Sequence, residues 1–123
     1  MSSDIKITQS RDLYLKTLEA IASLPELDDE DFGDMLLEDL DIDARTFLSE
    51  PVLGRLVIAG LLSKEAAAGS LAIRCELLQR IDALHGTGEY TLAAMREDPL
   101  WLTLAGRCRS VLREQAWGPQ GAA

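Results

Sequence analysis

The chain has 123 residues, 47% of them apolar and 27% charged, with a formal net charge of −9. That length fits one domain able to bury a core without disulfides or metals, and the composition excludes both a disordered polyelectrolyte and an integral membrane protein. The longest apolar run, "LVIAGLL" at 56–62, falls far short of the ~20 residues that span a bilayer, and "MSSDIK" lacks the start of a signal peptide, so the expected location is the cytoplasm.

In chain order, Ser10 is placed to cap a helix over "RDLYLKTLEAIASL", in which Tyr14, Leu18 and Ile21 form an apolar stripe; "LPEL" at 24–27 ends it. An amphipathic helix at about 29–41 follows, because Phe32, Met35, Leu36 and Leu40 recur at spacings of three and four while Asp31, Asp34, Glu38 and Asp41 do so on another side. Asp43 can then cap a short turn over "ARTFL". Ser49, Glu50 and Pro51 open a helix through "VLGRLVIAG" that closes at Gly60.

Ser63 caps the longest and most central helix, "KEAAAGSLAIRCELLQRIDAL". Its inner stripe is Leu71, Cys75, Leu78 and Ile81, Gly69 marks close packing or a bend, and Gly86 is the stop. A short helix over "EYTLAAMRE" comes next. Asp98 and Pro99 then open "PLWLTLAGRCRSVLREQAW", which buries Trp101, Leu104, Cys108 and Val111.

No alternation of period two persists, the nearest approach being "IKIT" at 5–8. The expected fold is therefore all-α: a single compact bundle of six to seven helices with a long central and a long C-terminal helix. One helical domain covers 1–123, with ends frayed over about 1–8 and 118–123. Cys75 and Cys108 fall on or near apolar stripes and are expected as reduced, buried thiols, with an interhelical disulfide as the alternative. Nine Arg against three Lys, with abundant Leu and Ala, suggests a bacterial source.

The charge is unevenly placed. Glu26, Asp28, Asp29, Glu30, Asp31, Asp34, Glu38, Asp39, Asp41 and Asp43 fall within eighteen residues that hold no Lys or Arg, whereas the remaining eleven acids and twelve bases nearly cancel. Carboxylates three or four apart on a helix repel, and those in its last turn oppose the helix dipole, while Asp28 to Asp31 complement it at the start. Such a segment draws Arg from elsewhere in the fold, stays a solvated face, or waits for a cationic partner. Arg107, Arg109 and Arg113 of the last helix are placed where the dipole favours them and are candidates to face the acidic helix.

Part of this segment matches an acid spacing used for calcium. In "DLDIDARTFLSE" at 39–50, Asp39, Asp41, Asp43 and Glu50 take the first, third, fifth and twelfth places of an EF-hand loop. The sixth place is Ala44 rather than Gly, the ninth is Phe47, and Pro51 follows at once. A second frame from Asp28 has Gly33 in place but Phe32 at the fifth position. A dense acidic run matches such spacings by chance, and capping by Asp43 and Glu50 is the simpler reading.

Catalysis finds little footing. The one histidine, His85, precedes Gly86 at a helix end, a common capping position, and no motif ties it to a nucleophile. Zinc, P-loop and dinucleotide-binding spacings are missing from the sequence, so no enzyme activity and no cofactor are expected. Direct nucleic-acid binding is disfavoured because the acidic run repels phosphate.

These features point to a small acidic protein-binding module that docks on a basic protein surface. In size and charge the chain resembles small, acidic, helical bacterial immunity proteins, a resemblance that implies an inhibitor neutralising a toxin or nucleic-acid-binding enzyme. A secretion chaperone or regulatory adaptor is the alternative, a calcium-binding protein a further one, and association as a homodimer stays open. The expected docking residues are Asp28, Asp31, Asp34, Glu38 and Asp41. Among the apolar residues nearby, spacing assigns Phe32 and Met35 to the core before any role as anchors beside Leu37.

Overall fold

The computed structural model describes residues 2–84 and 91–117, and every element among them is helical. They comprise α1 (Ser2–Ser23), a 3₁₀ turn (Leu24–Glu26), α2 (Asp29–Asp34), a π-helical stretch (Met35–Leu40), α3 (Asp41–Phe47), α4 (Glu50–Ile58), α5 (Lys64–Leu84), α6 (Leu92–Glu97) and α7 (Leu100–Trp117). The all-α bundle expected from the sequence is formed. The stop at Gly86, the cap role of His85 and the end at 118–123 lie outside the described residues.

The three long helices carry the core. α1 packs along α7, which also packs on α5, and the shorter α3 and α4 lean on both α1 and α5. Tyr14, Leu18 and Ile21 of α1, Ile73, Leu77 and Ile81 of α5, and Leu104 and Cys108 of α7 are fully or almost fully buried. At ~25 cal/mol per Å² of apolar surface withdrawn from water, these contacts supply the main drive for folding. Gly69 is a place where α5 meets α7: a Cβ there would sit 4.0 Å from a methyl of Val111, an ordinary contact.

Several caps act as expected. Ser63 Oγ accepts from Ala66 N at 3.0 Å, and Asp98 Oδ1 accepts from Leu100 N at 3.0 Å. Gly60 closes α4 at φ +77°, a left-handed conformation in which a side chain is strained, with Leu61 N donating to Leu56 O at 2.9 Å.

Three local expectations are corrected. Ser10 does not cap α1 but lies inside it, since the helix already runs from Ser2 and takes in "IKIT". Asp43 caps nothing either: the chain stays helical from Asp29 to Phe47, and Asp43 sits in the first turn of α3. Cys75 is exposed rather than buried, because α5 turns Ser70, Ile73 and Leu77 inward in place of the Leu71–Cys75 line. Ser70 tolerates full burial because Tyr14 Oη lies 2.7 Å from its Oγ, so each hydroxyl has a partner. Both cysteines are free, and only Cys108 is buried.

Candidate acidic docking face

The continuous helix from Asp29 to Phe47 has an unusual register. Phe32, Leu36, Leu40, Ala44 and Leu48 are each at most 1% exposed, and they recur every fourth residue. On a regular α-helix of 3.6 residues per turn such a line drifts by about 40° at each step, and its ends would face different directions. The π stretch Met35–Leu40, closed by Asp41 N donating to Leu36 O, has wider turns that rotate the line back. One apolar edge thus stays on the core throughout, and the carboxylates between its members are held outward.

The side chain of Asp28 accepts from Asp31 N at 2.8 Å, so this residue is the N-cap of α2 and satisfies an otherwise free donor. Asp29, Glu30 and Asp31 occupy the first turn, where the helix dipole favours negative charge. Asp31, Asp34, Glu38 and Asp39 are all exposed, and among the described residues none of the four has an ion pair. Leu37, 36% exposed, emerges on the same stretch, and Ile42, 65% exposed, follows just beyond Asp39. Phe32 is buried and Met35 is half-buried against the core, as the spacing implies.

Among the described residues, internal counter-charge reaches the two ends of the segment. At the start, Arg96 of α6 places Nε 3.4 Å from Asp29. Its guanidinium also donates to the carbonyls of Leu24 and Leu27 and lies 4.8 Å from the centre of the Phe32 ring. At the far end, Arg45 donates from Nε to Asp41 at 2.9 Å and from Nη2 to Asp82 of α5 at 2.7 Å, and these two bonds hold its pKa above the ordinary value. Arg74 Nε, donating to Ala44 O at 3.2 Å, adds a second tie between α5 and α3. Asp43, half-buried, has its pKa raised by burial and then by the charge of Asp39.

The α7 arginines do not serve as the counter-charge. Arg107 pairs with Glu76 of α5, and Arg109 and Arg113 are exposed, with Arg113 bonded to Ser110. Arg45 lies four residues after Asp41, a helical pair that the sequence makes readable, whereas nothing in sequence periodicity marks Arg96, whose carbonyl partners lie 69 and 72 positions away.

Of the five expected docking residues, Asp31, Asp34 and Glu38 therefore remain available. Asp28 is committed to its cap and Asp41 to Arg45. Asp39 is a further exposed carboxylate on the same segment. The calcium ligands do not form an EF-hand loop, because Asp39, Asp41 and Asp43 lie on continuous helix and Glu50 opens α4. Among the described residues no three of His, Cys, Asp or Glu gather into a group able to hold a metal.

The buried Tyr14 phenol and Cys108 thiol are poorly suited to nucleophilic work. Burial pushes the Tyr14 phenol up to about 12, and burial pushes the Cys108 thiol up to about 12 despite the adjacent Arg107 and Arg109. No helix among the described residues is long and apolar enough to cross a membrane.

Comparisons of the chain with protein-family models, with curated proteins and with solved structures gave no match.

Proposed function

We propose that this protein is a binding module that docks the outward face of residues 31–39 on a basic protein surface, most plainly as an inhibitor of a toxin or of an enzyme that handles nucleic acid. One observation carries the reading: the fold brings Arg96 and Arg45 to the ends of the acidic helix and leaves Asp31, Asp34, Glu38 and Asp39 exposed between them. Each like-charge neighbour on that helix costs a few tenths of a kcal/mol in the free protein, a cost relieved when Lys or Arg of a partner arrives.

The proposed mechanism has two stages. At long range the acidic face attracts the basic partner and raises the association rate, an effect that salt screens. At contact the four carboxylates accept charge-assisted hydrogen bonds, and Leu37 and Ile42 exclude water between them. A partner that uses its basic surface to hold phosphates has that surface covered by carboxylates instead.

The reading is tested with a variant carrying Asp31→Asn, Asp34→Asn, Glu38→Gln and Asp39→Asn. Association with a captured partner should slow markedly at low salt while the unfolding midpoint stays close to that of the native chain. An unchanged association rate would remove the acidic face from the mechanism.

A further inference from the structure

Beside the start of the acidic helix lies a cleft of about 300 Å³, formed where α6 approaches α2 and bordered by Asp29, Phe32, Ala93, Arg96 and Glu97. It continues into a second depression of about 280 Å³ that shares Phe32, Arg96 and Glu97 and reaches Trp101. We infer that this cleft seats a lysine side chain of the basic partner, an inference that rests on the docking reading above.

The occupant follows from the chemistry of the walls. Phe32 at the base of the cleft meets Trp101 of the adjoining depression edge to face, their ring centres 5.6 Å apart, so the small part of this base left open, 1% of Phe32 and 3% of Trp101, is apolar and suited to a methylene stem. At the rim stand two exposed carboxylates. Glu97 has no ion pair among the described residues, and Asp29 keeps 93% of its side-chain surface open although it lies 3.4 Å from Arg96.

The cation already present does not turn the cleft into an anion site. Arg96 commits three of its five N–H donors to Leu24 O, Leu27 O and Asp29, and the carboxylates of Asp29 and Glu97 beside it oppose an incoming anion. The same guanidinium already covers one face of the Phe32 ring, a face on which an incoming guanidinium would otherwise stack. A compact ammonium at the end of a flexible apolar stem fits these limits better than arginine does. A second copy of this chain is a poorer occupant, because its own acidic segment would meet like charge here.

The test is a heteronuclear NMR titration at low ionic strength with N-acetyl-lysine N-methylamide, and in parallel with the norleucine analogue, which keeps the stem and lacks the charge. The inference predicts saturable shifts at the amides of Ala93 and Glu97 and at the Trp101 indole N–H with the lysine probe, and much weaker ones with norleucine. Ala93→Trp, which fills the cleft from an exposed position, should abolish them; Glu97→Gln should weaken them severalfold; Asp34→Asn with Glu38→Gln should leave them in place. Equal shifts with norleucine would overturn the inference. So would shifts confined to residues 31–39, which would leave the docking reading standing. No shift anywhere, with the lysine probe or with a lysine-rich peptide, would overturn the cleft and the docking reading together.

Discussion

Arg96 and Phe32 lock the start of the acidic helix to α6: the guanidinium lies 4.8 Å from the centre of the ring and donates at the same time to the carbonyls of Leu24 and Leu27. A cation over an aromatic face and charge-assisted bonds to part-buried carbonyls are together worth about 2–3 kcal/mol, whereas the pair with the exposed Asp29 adds little. Arg96→Met should lower stability by roughly that amount, read from the urea midpoint, and Asp29→Asn should barely move it. A loss of similar size in both variants would mean that the ion pair, not the clamp on the 3₁₀ turn, holds the junction.

The acids of the helix differ in what they contribute to stability. Asp28→Ala removes the cap on Asp31 N and should cost about 1 kcal/mol. Asp34→Asn and Glu38→Gln remove only repulsion and unfavourable dipole interactions, so they should be neutral or raise stability by a few tenths of a kcal/mol. Thermal unfolding of the three single variants at low salt distinguishes the roles, and added salt should shrink the gain of the latter two.

The hydroxyl pair of Tyr14 and Ser70 ties α1 to α5 inside the core. Tyr14→Phe leaves a fully buried serine hydroxyl without its partner and should cost about 1–3 kcal/mol. Adding Ser70→Ala removes the orphaned group, so the double variant should lose less than the sum of the two single ones. Strict additivity in that cycle would show that the two groups do not interact.

Alkaline pH should destabilise the protein in two steps. The Cys108 thiol and the Tyr14 phenol both have folded pKa values pushed up to about 12, above the ordinary values of about 8.5 and 10 in an unfolded chain. A raised pKa means that the folded state keeps its proton after the unfolded state has lost it. The stability contributed is therefore complete below the unfolded pKa and is lost as pH rises toward the folded one. Denaturant midpoints should begin to fall above about pH 8.5 and fall faster above about pH 10; Cys108→Ala should remove the first step and Tyr14→Phe part of the second. A midpoint that stays level to pH 11 in the native chain would contradict both assignments.

Much of this architecture was legible in the sequence, and the exceptions have physical reasons. The stripe of α7 reads correctly because Trp101, Leu104, Cys108 and Val111 keep one register and all face the core. α5 offers two competing lines, and the one that is buried includes Ser70, a residue that periodicity rejects until Tyr14 is known to reach it. The early start of α1 shows no stripe strong enough to read; within Ser2–Ser10 the contact with the core that can be named is that of Ile7. The break expected near Asp41 came from reading Asp43 as the cap of a new turn, whereas the helix runs on and the four-residue recurrence from Phe32 through Ala44 to Leu48 is the signal of its π stretch. For the candidate site, the excess of carboxylates was visible at once. Which of them remain unpaired was only partly so: the Asp41–Arg45 pair is local, whereas the Asp29 pair depends on Arg96, brought in by the tertiary fold.

The most direct test of the acidic face as a recognition site is affinity capture from the source lysate at low salt, followed by a salt gradient. The native chain and the variant neutralised at Asp31, Asp34, Glu38 and Asp39 are run side by side. The account predicts that one stoichiometric basic protein is held by the native chain, elutes with salt, and is missing from the variant. Equal retention of that protein by both chains, or no specific protein on either, would contradict it.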